Sequence, residues 1–398
     1  MDVGKLLAIN GGTPVRKSLL PYGRQWVDES DIKAIIEVLR SDWLTTGPKV
    51  QEFEERVADY VGSEYAVAVN SGTAALHAAA FAIGIGPGDE VITTPLTFAA
   101  TANCVLYLGG RPVFADVCPS TLNIDPQDVE RKVTSRTKAV VAVDFTGQPC
   151  DYEAIWKVAE RYNLRIIEDG AHALGAEYKG RRVGTLNELT ALSFHPVKHI
   201  TTGEGGMVLT DDADMAAKMR AFRTHGVTAD FRRRAAAGSW FYEMVALGYN
   251  YRLPDISCAL GLAQMRKLDG WLTRRREIAT RYAVAFSQLP EVKVPHILPQ
   301  VNPAWHLFVI ELNLSQIRVG RQQVFAALRA ENIGVNVHYI PVYWHPYYQQ
   351  LEYEKGLCPM AEAAYERLIS LPMFPAMTDD DVEDVIAAVV KVVSAYRS

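Results

Sequence analysis

The chain has 398 residues, 49% apolar and 22% charged, with a formal net charge of −5. Those proportions exclude a collagen-like, coiled-coil or wholly disordered protein, and the length suffices to bury a large core without disulfides or metal. The mild acidity argues against non-specific binding to nucleic acid or to an anionic membrane as the main task.

The first two thirds alternate between strand and helix patterns. Short β-branched runs at 65–69, 90–94, 112–116, 138–143, 164–167, 191–194 and 207–210 predict seven strands. Helical spacing falls between many of them: Val50, Phe53, Val57 and Tyr60 recur at the 3.6-residue period, and 151–161 opens on an Asp that can cap it. Such alternation predicts an α/β protein with one large sheet covered on both faces. After Pro254 the character changes. Residues 255 to 289 read as long and helical, with Gly261 and Gly270 as weak points. Strands are expected at 306–312 and 335–340, and helices at 321–331, 361–368 and 379–393. We therefore place a large domain at 1–253 and a smaller α+β domain at 254–398. Neither a repeat nor a low-complexity segment is present. The run Arg232-Arg233-Arg234 is expected in a loop, as a solvated surface or an anion contact.

The five cysteines (Cys104, Cys118, Cys150, Cys258, Cys358) are scattered and never form a Cys-x-x-Cys pair, so they read as reduced thiols. No stretch approaches the roughly 18 uninterrupted apolar residues of a membrane span, and the early apolar run of four residues is too short for a signal peptide. A soluble, cytoplasmic protein is expected.

Three features of the large domain bear on chemistry. Asn70-Ser71-Gly72-Thr73-Ala74-Ala75 lies between a strand and a helix, where small residues let backbone N–H groups approach an anion. By itself it is a weak signal, since Ser or Thr before an apolar helix is more often only a cap. Ile166-Ile167-Glu168-Asp169-Gly170-Ala171-His172 puts acidic residues at the end of a buried strand, where ligands bind in open α/β sheets. In Ser193-Phe194-His195-Pro196-Val197-Lys198, followed by a Thr/Gly-rich turn, a lysine sits at another strand end. A semi-buried lysine of that kind has a depressed pKa and serves as a nucleophile toward carbonyls. Anion cradle, carboxylate and lysine together are the parts that pyridoxal phosphate requires. No Gly-x-Gly-x-x-Gly follows an early strand, which disfavours a dinucleotide-binding dehydrogenase.

With Ser41-Asp42-Trp43-Leu44-Thr45-Thr46-Gly47-Pro48, Thr94-Pro95-Leu96-Thr97-Phe98, Thr201-Thr202-Gly203-Glu204-Gly205-Gly206 and Gly248-Tyr249-Asn250-Tyr251-Arg252-Leu253, these stretches resemble the DegT-type sugar-nucleotide aminotransferases. The resemblance runs from about Pro21 to the C-terminus. It implies the aspartate-aminotransferase-like fold type I, with a mixed seven-stranded sheet in the large domain. It also implies pyridoxal 5′-phosphate as cofactor, alternating with pyridoxamine 5′-phosphate, and a homodimer with shared active sites. By position, Lys198 would bind the cofactor covalently and Asp169 would pair with its ring nitrogen. Phe98 would stack on the ring and His172 would lie near its hydroxyl. Gly72, Thr73 and Ser193 would hold the phosphate, with Asn250 reaching it from the neighbouring subunit. Lysine at 198, where some relatives carry histidine and dehydrate, implies amino transfer.

Shorter stretches, among them Pro21-Tyr22-Gly23-Arg24-Gln25, Trp305-His306-Leu307, Val337-His338-Tyr339-Ile340-Pro341-Val342 and Ile369-Ser370-Leu371-Pro372-Met373, are similar to one subgroup. It aminates C4 of a UDP-linked 4-keto-6-deoxy-N-acetylhexosamine on the way to pseudaminic acid, with L-glutamate as the expected donor. By that analogy His338 and Tyr339, and with them Thr46 and Gly47, would contact substrate. Asp144, where histidine is expected, and Tyr343-Trp344-His345 depart from the pattern. Amination of another nucleotide-linked keto sugar, at C3 or C4, and a regulatory protein without turnover are the alternatives.

Overall fold

The computed structural model describes residues 6–228, 234 and 236–398. All seven predicted strands form, at Tyr65–Val69 (β1), Glu90–Thr93 (β2), Arg111–Phe114 (β3), Thr137–Val143 (β4), Arg165–Asp169 (β5), Leu189–Ser193 (β8) and Gly206–Thr210 (β9). A two-residue hairpin, Glu177–Tyr178 (β6) and Arg181–Arg182 (β7), lies outside that sheet. The sheet order is β1-β9-β8-β5-β4-β2-β3, and only β9 runs against the rest. Side chains alternate between its faces. Val67, Val91, Val141, Ile167 and Val208 join one core with the alanine-rich helix Gly72–Ala82. Ala66, Ala68, Ile92, Val140, Ile166 and Leu209 join the other, with Phe53 and Val57 of helix Pro48–Val61. Asp151 caps helix Tyr152–Tyr162 by accepting from the Ala154 N–H at 3.3 Å.

A second sheet of three antiparallel strands, Val292–Lys293 (β10), Phe308–Leu312 (β12) and Leu368–Leu371 (β13), carries a separate core with helices Arg321–Ala330 and Asp379–Ala395. The remaining short strand, Val301–Asn302 (β11), pairs with β6. Helix Leu268–Phe286 serves both cores, with Leu268, Trp271 and Leu272 in the first and Ile278, Ala279, Tyr282 and Phe286 in the second.

Some expectations for the second part were wrong. The 255–289 helix is two helices, Asp255–Met265 and Leu268–Phe286, which meet at Arg266-Lys267 and not at either glycine. Gly261 sits inside the first, where a Cβ would come within 2.7 Å of the Phe53 ring, so it serves close packing. Residues 335–340 form no strand; Asn336 makes one bridge to Ser370. The helix expected at 361–368 is Pro359–Tyr365, and Leu368 opens β13. Arg232 and Arg233 lie outside the described residues, and the Arg234 guanidinium stacks 4.6 Å above the Tyr242 ring.

Beneath the sheet's carboxyl edge two carboxyls are sealed from solvent. Asp144 Oδ1 accepts from the Tyr152 hydroxyl at 2.8 Å and the Cys150 N–H at 3.0 Å, while Glu168 Oε2 accepts from the Thr190 hydroxyl at 2.5 Å. Their other oxygens find no N–H or O–H donor, and the two side chains hydrogen-bond to each other. Two carboxylates cannot do so unless a proton lies between them. Burial, and then the neighbouring Glu168, push the Asp144 carboxyl well above the usual range, so the proton resides there.

A folded pKa above the unfolded one gives stability that is complete below the unfolded value and fades as pH rises through the folded one. Thermal melts of wild type are therefore expected to decline on the alkaline side. In Asp144→Asn, whose amide donates to Glu168 without titrating, that decline should flatten. Asp144→Ala leaves the Tyr152 hydroxyl and the Cys150 N–H without an acceptor and should cost about 3 kcal/mol in denaturant unfolding.

Candidate active site

The carboxyl ends of β1, β5 and β8 and the start of antiparallel β9 meet along one edge of the sheet. Each delivers one piece of chemistry. After β1, Ser71 caps helix Gly72–Ala82 by accepting from the Ala74 N–H at 3.1 Å. The cap reading of this segment is thus correct, and it leaves the N–H groups of Gly72 and Thr73 at the helix start. A Cβ on residue 72 would fall 2.8 Å from the Ser193 Cβ, so glycine lets the helix start close onto the end of β8. The result is a half-exposed concavity of backbone N–H and hydroxyl groups at the positive end of a helix, suited to an anion.

Asp169 ends β5, almost fully buried. Its Oδ2 accepts from the Thr101 hydroxyl at 2.7 Å and its Oδ1 from the Ala171 N–H at 3.2 Å; Thr97 in turn lies 2.8 Å from Thr101. Burial raises its pKa, against those hydrogen bonds and the attraction of Lys198. Period-2 alternation sends Asp169 and Glu168 to opposite faces of the sheet, so only Asp169 joins this site.

Lys198 sits in the turn after β8. Burial lowers its pKa to about 8, opposed by Asp169 and aided by the Arg275 charge. Its Nζ lies 3.3 Å from His306 Nε2. The His306 ring is 4.4 Å from that of His172, whose Nε2 is 3.1 Å from the Tyr339 hydroxyl. Burial drives the pKa of His172, His199 and His306 well below the ordinary value and that of His338 to about 4. All four are neutral at physiological pH. His172 Nδ1 and His306 Nδ1 are buried without a hydrogen-bond partner. Tyr339 is pushed up by burial and stays protonated.

The second sheet reaches this edge through Gly147. Its φ is +99°, and a Cβ would lie 2.6 Å from the His172 carbonyl and 2.8 Å from the Trp305 nitrogen. Only glycine lets residues 304–307 pass against the His172 turn, with the Ala304 N–H bonded to the Gly147 carbonyl at 2.9 Å. His338 then bonds Ser370 Oγ through Nδ1 at 2.7 Å and packs 5.5 Å from the Tyr22 ring.

The structure thus gathers Lys198, Asp169, His172, His338 and Tyr339, with the Gly72-Thr73-Ser193 concavity on the same sheet edge. Phe98 stands on this side too, 63% exposed and 6.4 Å from the Tyr339 ring. Asn250 is exposed, and its carbonyl accepts from the Asn70 amide at 3.3 Å. Thr46 and Gly47 line a different cavity of about 620 Å³, beside Glu54, Arg223 and Arg252; there Asp255 accepts from the Gly47 N–H at 2.7 Å. Sequence reasoning missed Thr101, Arg275 and the position of His306. The only signal for His306 was its place in the Trp305-His306-Leu307 stretch. All five cysteines are free. Cys358 is buried at the start of helix Pro359–Tyr365, and burial pushes its thiol up.

Among the described residues no cluster of three or more His, Cys, Asp or Glu could hold a metal ion, and no helix is long and apolar enough to cross a membrane. The donor set fits pyridoxal phosphate instead. It offers an anion concavity, a buried carboxylate for a ring N–H, an amine of depressed pKa and buried imidazole nitrogens left without a partner.

Comparison with known proteins agrees. The chain is 48% identical over 377 residues to the spore coat polysaccharide biosynthesis protein SpsC of Bacillus subtilis, covering 94% of this chain and 97% of that one. Among solved structures, the putative sugar aminotransferase Spr1654 of Streptococcus pneumoniae in its PMP form matches with a TM-score of 0.89 and 30% identity, over 94% of this chain and 99% of that one. Helicobacter pylori PseC, an aminotransferase involved in the biosynthesis of pseudoaminic acid, matches with a TM-score of 0.88 and 34% identity, over 96% and 100%. Residues 25–390 match the model of the DegT/DnrJ/EryC1/StrS aminotransferase family. The chain belongs to that family, and it is a pyridoxal-phosphate-dependent sugar aminotransferase.

Proposed function

We propose that this protein moves an amino group from L-glutamate to C4 of a UDP-linked 4-keto-6-deoxy-N-acetylhexosamine, in the biosynthesis of pseudaminic acid or a related amino sugar. The observation that carries the reading is the pair His338-Tyr339, part of a stretch similar to the pseudaminic-acid subgroup, lying beside His172 and Lys198. Similarity to PseC over nearly the whole of both chains supports it. The higher identity to SpsC favours a second reading, in which another nucleotide-linked keto sugar of a surface polysaccharide is aminated.

Lys198 would be the residue that holds the cofactor covalently, and its amine, of depressed pKa, would serve as general acid and base at the donor's Cα. With a pKa near 8 it exchanges protons readily close to neutrality. Asp169, its carboxylate fixed by the Thr101 hydroxyl, would pair with the cofactor's ring nitrogen and favour its protonated form. Gly72, Thr73 and Ser193 would hold the phosphate, and Phe98 would stack on the ring. When bound, the cofactor supplies the electron sink that lets the Cα–H bond ionise. Neutral His172 and Tyr339 add no competing cation beside the ring.

We place the working unit as a cytoplasmic homodimer. Trp240, Phe241, Met244, Val245 and Leu247 form an exposed apolar run just before Asn250, and burying it against a second copy removes that surface from water. In such a dimer Asn250 would reach the neighbouring site's phosphate, and Thr46 and Gly47 would meet the neighbouring substrate.

Absorbance of the cofactor-loaded enzyme tests the substrates. L-glutamate should bleach the band near the visible, and the correct keto sugar should restore it; bleaching that neither UDP-4-keto-6-deoxy-N-acetylglucosamine nor its altrose-configured epimer reverses points to the second reading. Initial-rate plots should be parallel, as a two-half-reaction scheme requires. Lys198→Ala should lose turnover, and Asp169→Asn should lower kcat by about 10²–10³-fold.

Shared sites predict complementation. Lys198→Ala and Asn250→Ala proteins, each inactive or weak alone, should recover about a quarter of wild-type activity when mixed and allowed to exchange subunits, because each mixed dimer rebuilds one intact site. No recovery, with subunit exchange shown by mass, means that Asn250 serves its own chain.

A further inference from the structure

Outside the roles assigned so far, His306 is within hydrogen-bond reach of the reacting amine, and the geometry gives it a task. We propose that His306 is a positioning residue for Lys198: its Nε2 accepts an N–H of the lysine and holds that amine in one orientation for attack on the cofactor aldehyde. The inference rests on the reading of Lys198 as the cofactor lysine.

The donor must be the lysine. An ammonium has three N–H groups and no lone pair, so at 3.3 Å the imidazole nitrogen facing it is the acceptor. A neutral ring has one proton, which therefore lies on Nδ1, the atom left without a partner. The ring is fixed from behind. Arg275 Nη1 donates to the carbonyls of Trp305, His306 and Met373 at 3.1, 3.2 and 3.1 Å. On either side of His306 the chain is bonded to the turn at 146–147, through the Ala304 and Leu307 N–H groups. An imidazole on so rigid a backbone restricts where a flexible four-carbon side chain can place its amine.

The charged and titratable groups around this pair come from every element packed on it. Asp169 at the end of β5 favours the ammonium, whereas Arg275 of helix Leu268–Phe286 opposes it. His172, His199 and His338 are neutral through burial, and Tyr339 is protonated. The imidazoles and the phenol around His306 therefore do not change charge near neutrality.

The test uses full-length protein freed of cofactor. Its condensation with pyridoxal phosphate, which forms a C=N bond to Nζ and releases one water, is followed by stopped-flow absorbance from about pH 6 to about pH 10. Borohydride trapping and peptide mass locate the modified residue. In wild type the rate should rise with a midpoint at about 8, as the amine loses its proton. His306→Leu removes the acceptor from the ammonium, so the midpoint should fall by about 0.5–1 unit. The plateau rate should drop about tenfold, because the amine is no longer held. His306→Gln, whose side-chain oxygen accepts, should return both toward wild type. Thermal melts of both variants identify any folding defect, against which the midpoint is the independent reading. An unchanged profile in His306→Leu, or a folded His306→Gln as impaired as His306→Leu, overturns the proposal. If Lys198→Ala still condenses at the wild-type rate, trapped elsewhere, the reading of Lys198 fails and the role of His306 fails with it.

Discussion

The site depends on a cation that has no carboxylate hydrogen-bonded to it among the described residues. Arg275 is 1% exposed, and its hydrogen-bond partners are three backbone carbonyls; burial lowers its pKa only to about 10, so it stays charged. An unpaired buried charge is costly unless dipoles surround it, and here the carbonyls of 305, 306 and 373 supply them. Those carbonyls belong to the segments that flank β12 and β13. One guanidinium therefore ties the second sheet to the helix shared by both cores, and its field reaches Lys198, His199 and His306. Replacing it by a neutral side chain would relax both effects together, because the same charge does both.

Around that cation the fold separates two kinds of acid. Glu168 and Asp169 are consecutive, and the pleat of β5 sends them to opposite faces. One joins Asp144 in a closed pair that shares a proton and welds β4 to β5. The other is aimed at the edge where Lys198 lies. Asp144 also donates its own N–H to the Asp169 carbonyl at 3.2 Å, so the structural pair fixes the strand end that presents the functional carboxylate. The departure from the expected histidine at 144 acquires a physical meaning in this way. A carboxyl there can take its second partner from Glu168, and Tyr152 and Cys150 satisfy its remaining oxygen.

Much of this was legible in the sequence, and the limits of legibility are local. Seven strands could be read because strands buried on both faces appear as β-branched runs between helical patterns. The cradle, carboxylate and lysine were found because each lies within a few residues of a strand end and carries its own short motif. The second part was harder. Residues 335–340 alternate polar and apolar side chains as a strand does, but Asn336 and His338 spend that alternation on bonds between themselves and to Ser370. β13 follows helix Pro359–Tyr365 after a two-residue turn, and a short apolar run in that setting continues the helical pattern. The two glycines of 255–289 misled for another reason: glycine weakens a helix in isolation, yet at 261 it is what allows contact with Phe53.

His306, Arg275 and Thr101 were illegible for a different reason, since none has a motif of its own. Each acquires its role only from a fold that sets residue 306 against residue 198, residue 275 behind 306, and residue 101 beside 169. This division follows from how the site is built. The groups that handle the cofactor sit on strands of one sheet and are ordered by its topology. The groups proposed to orient Lys198 and to reach toward the sugar arrive from the second sheet, through the passage that Gly147 leaves open. Chemistry common to a family is therefore written in the first part of the chain, where spacing reveals it. On the proposed reading, specificity would lie in the packing of the second part, where the segment at 336–345 is set against His172 and Lys198.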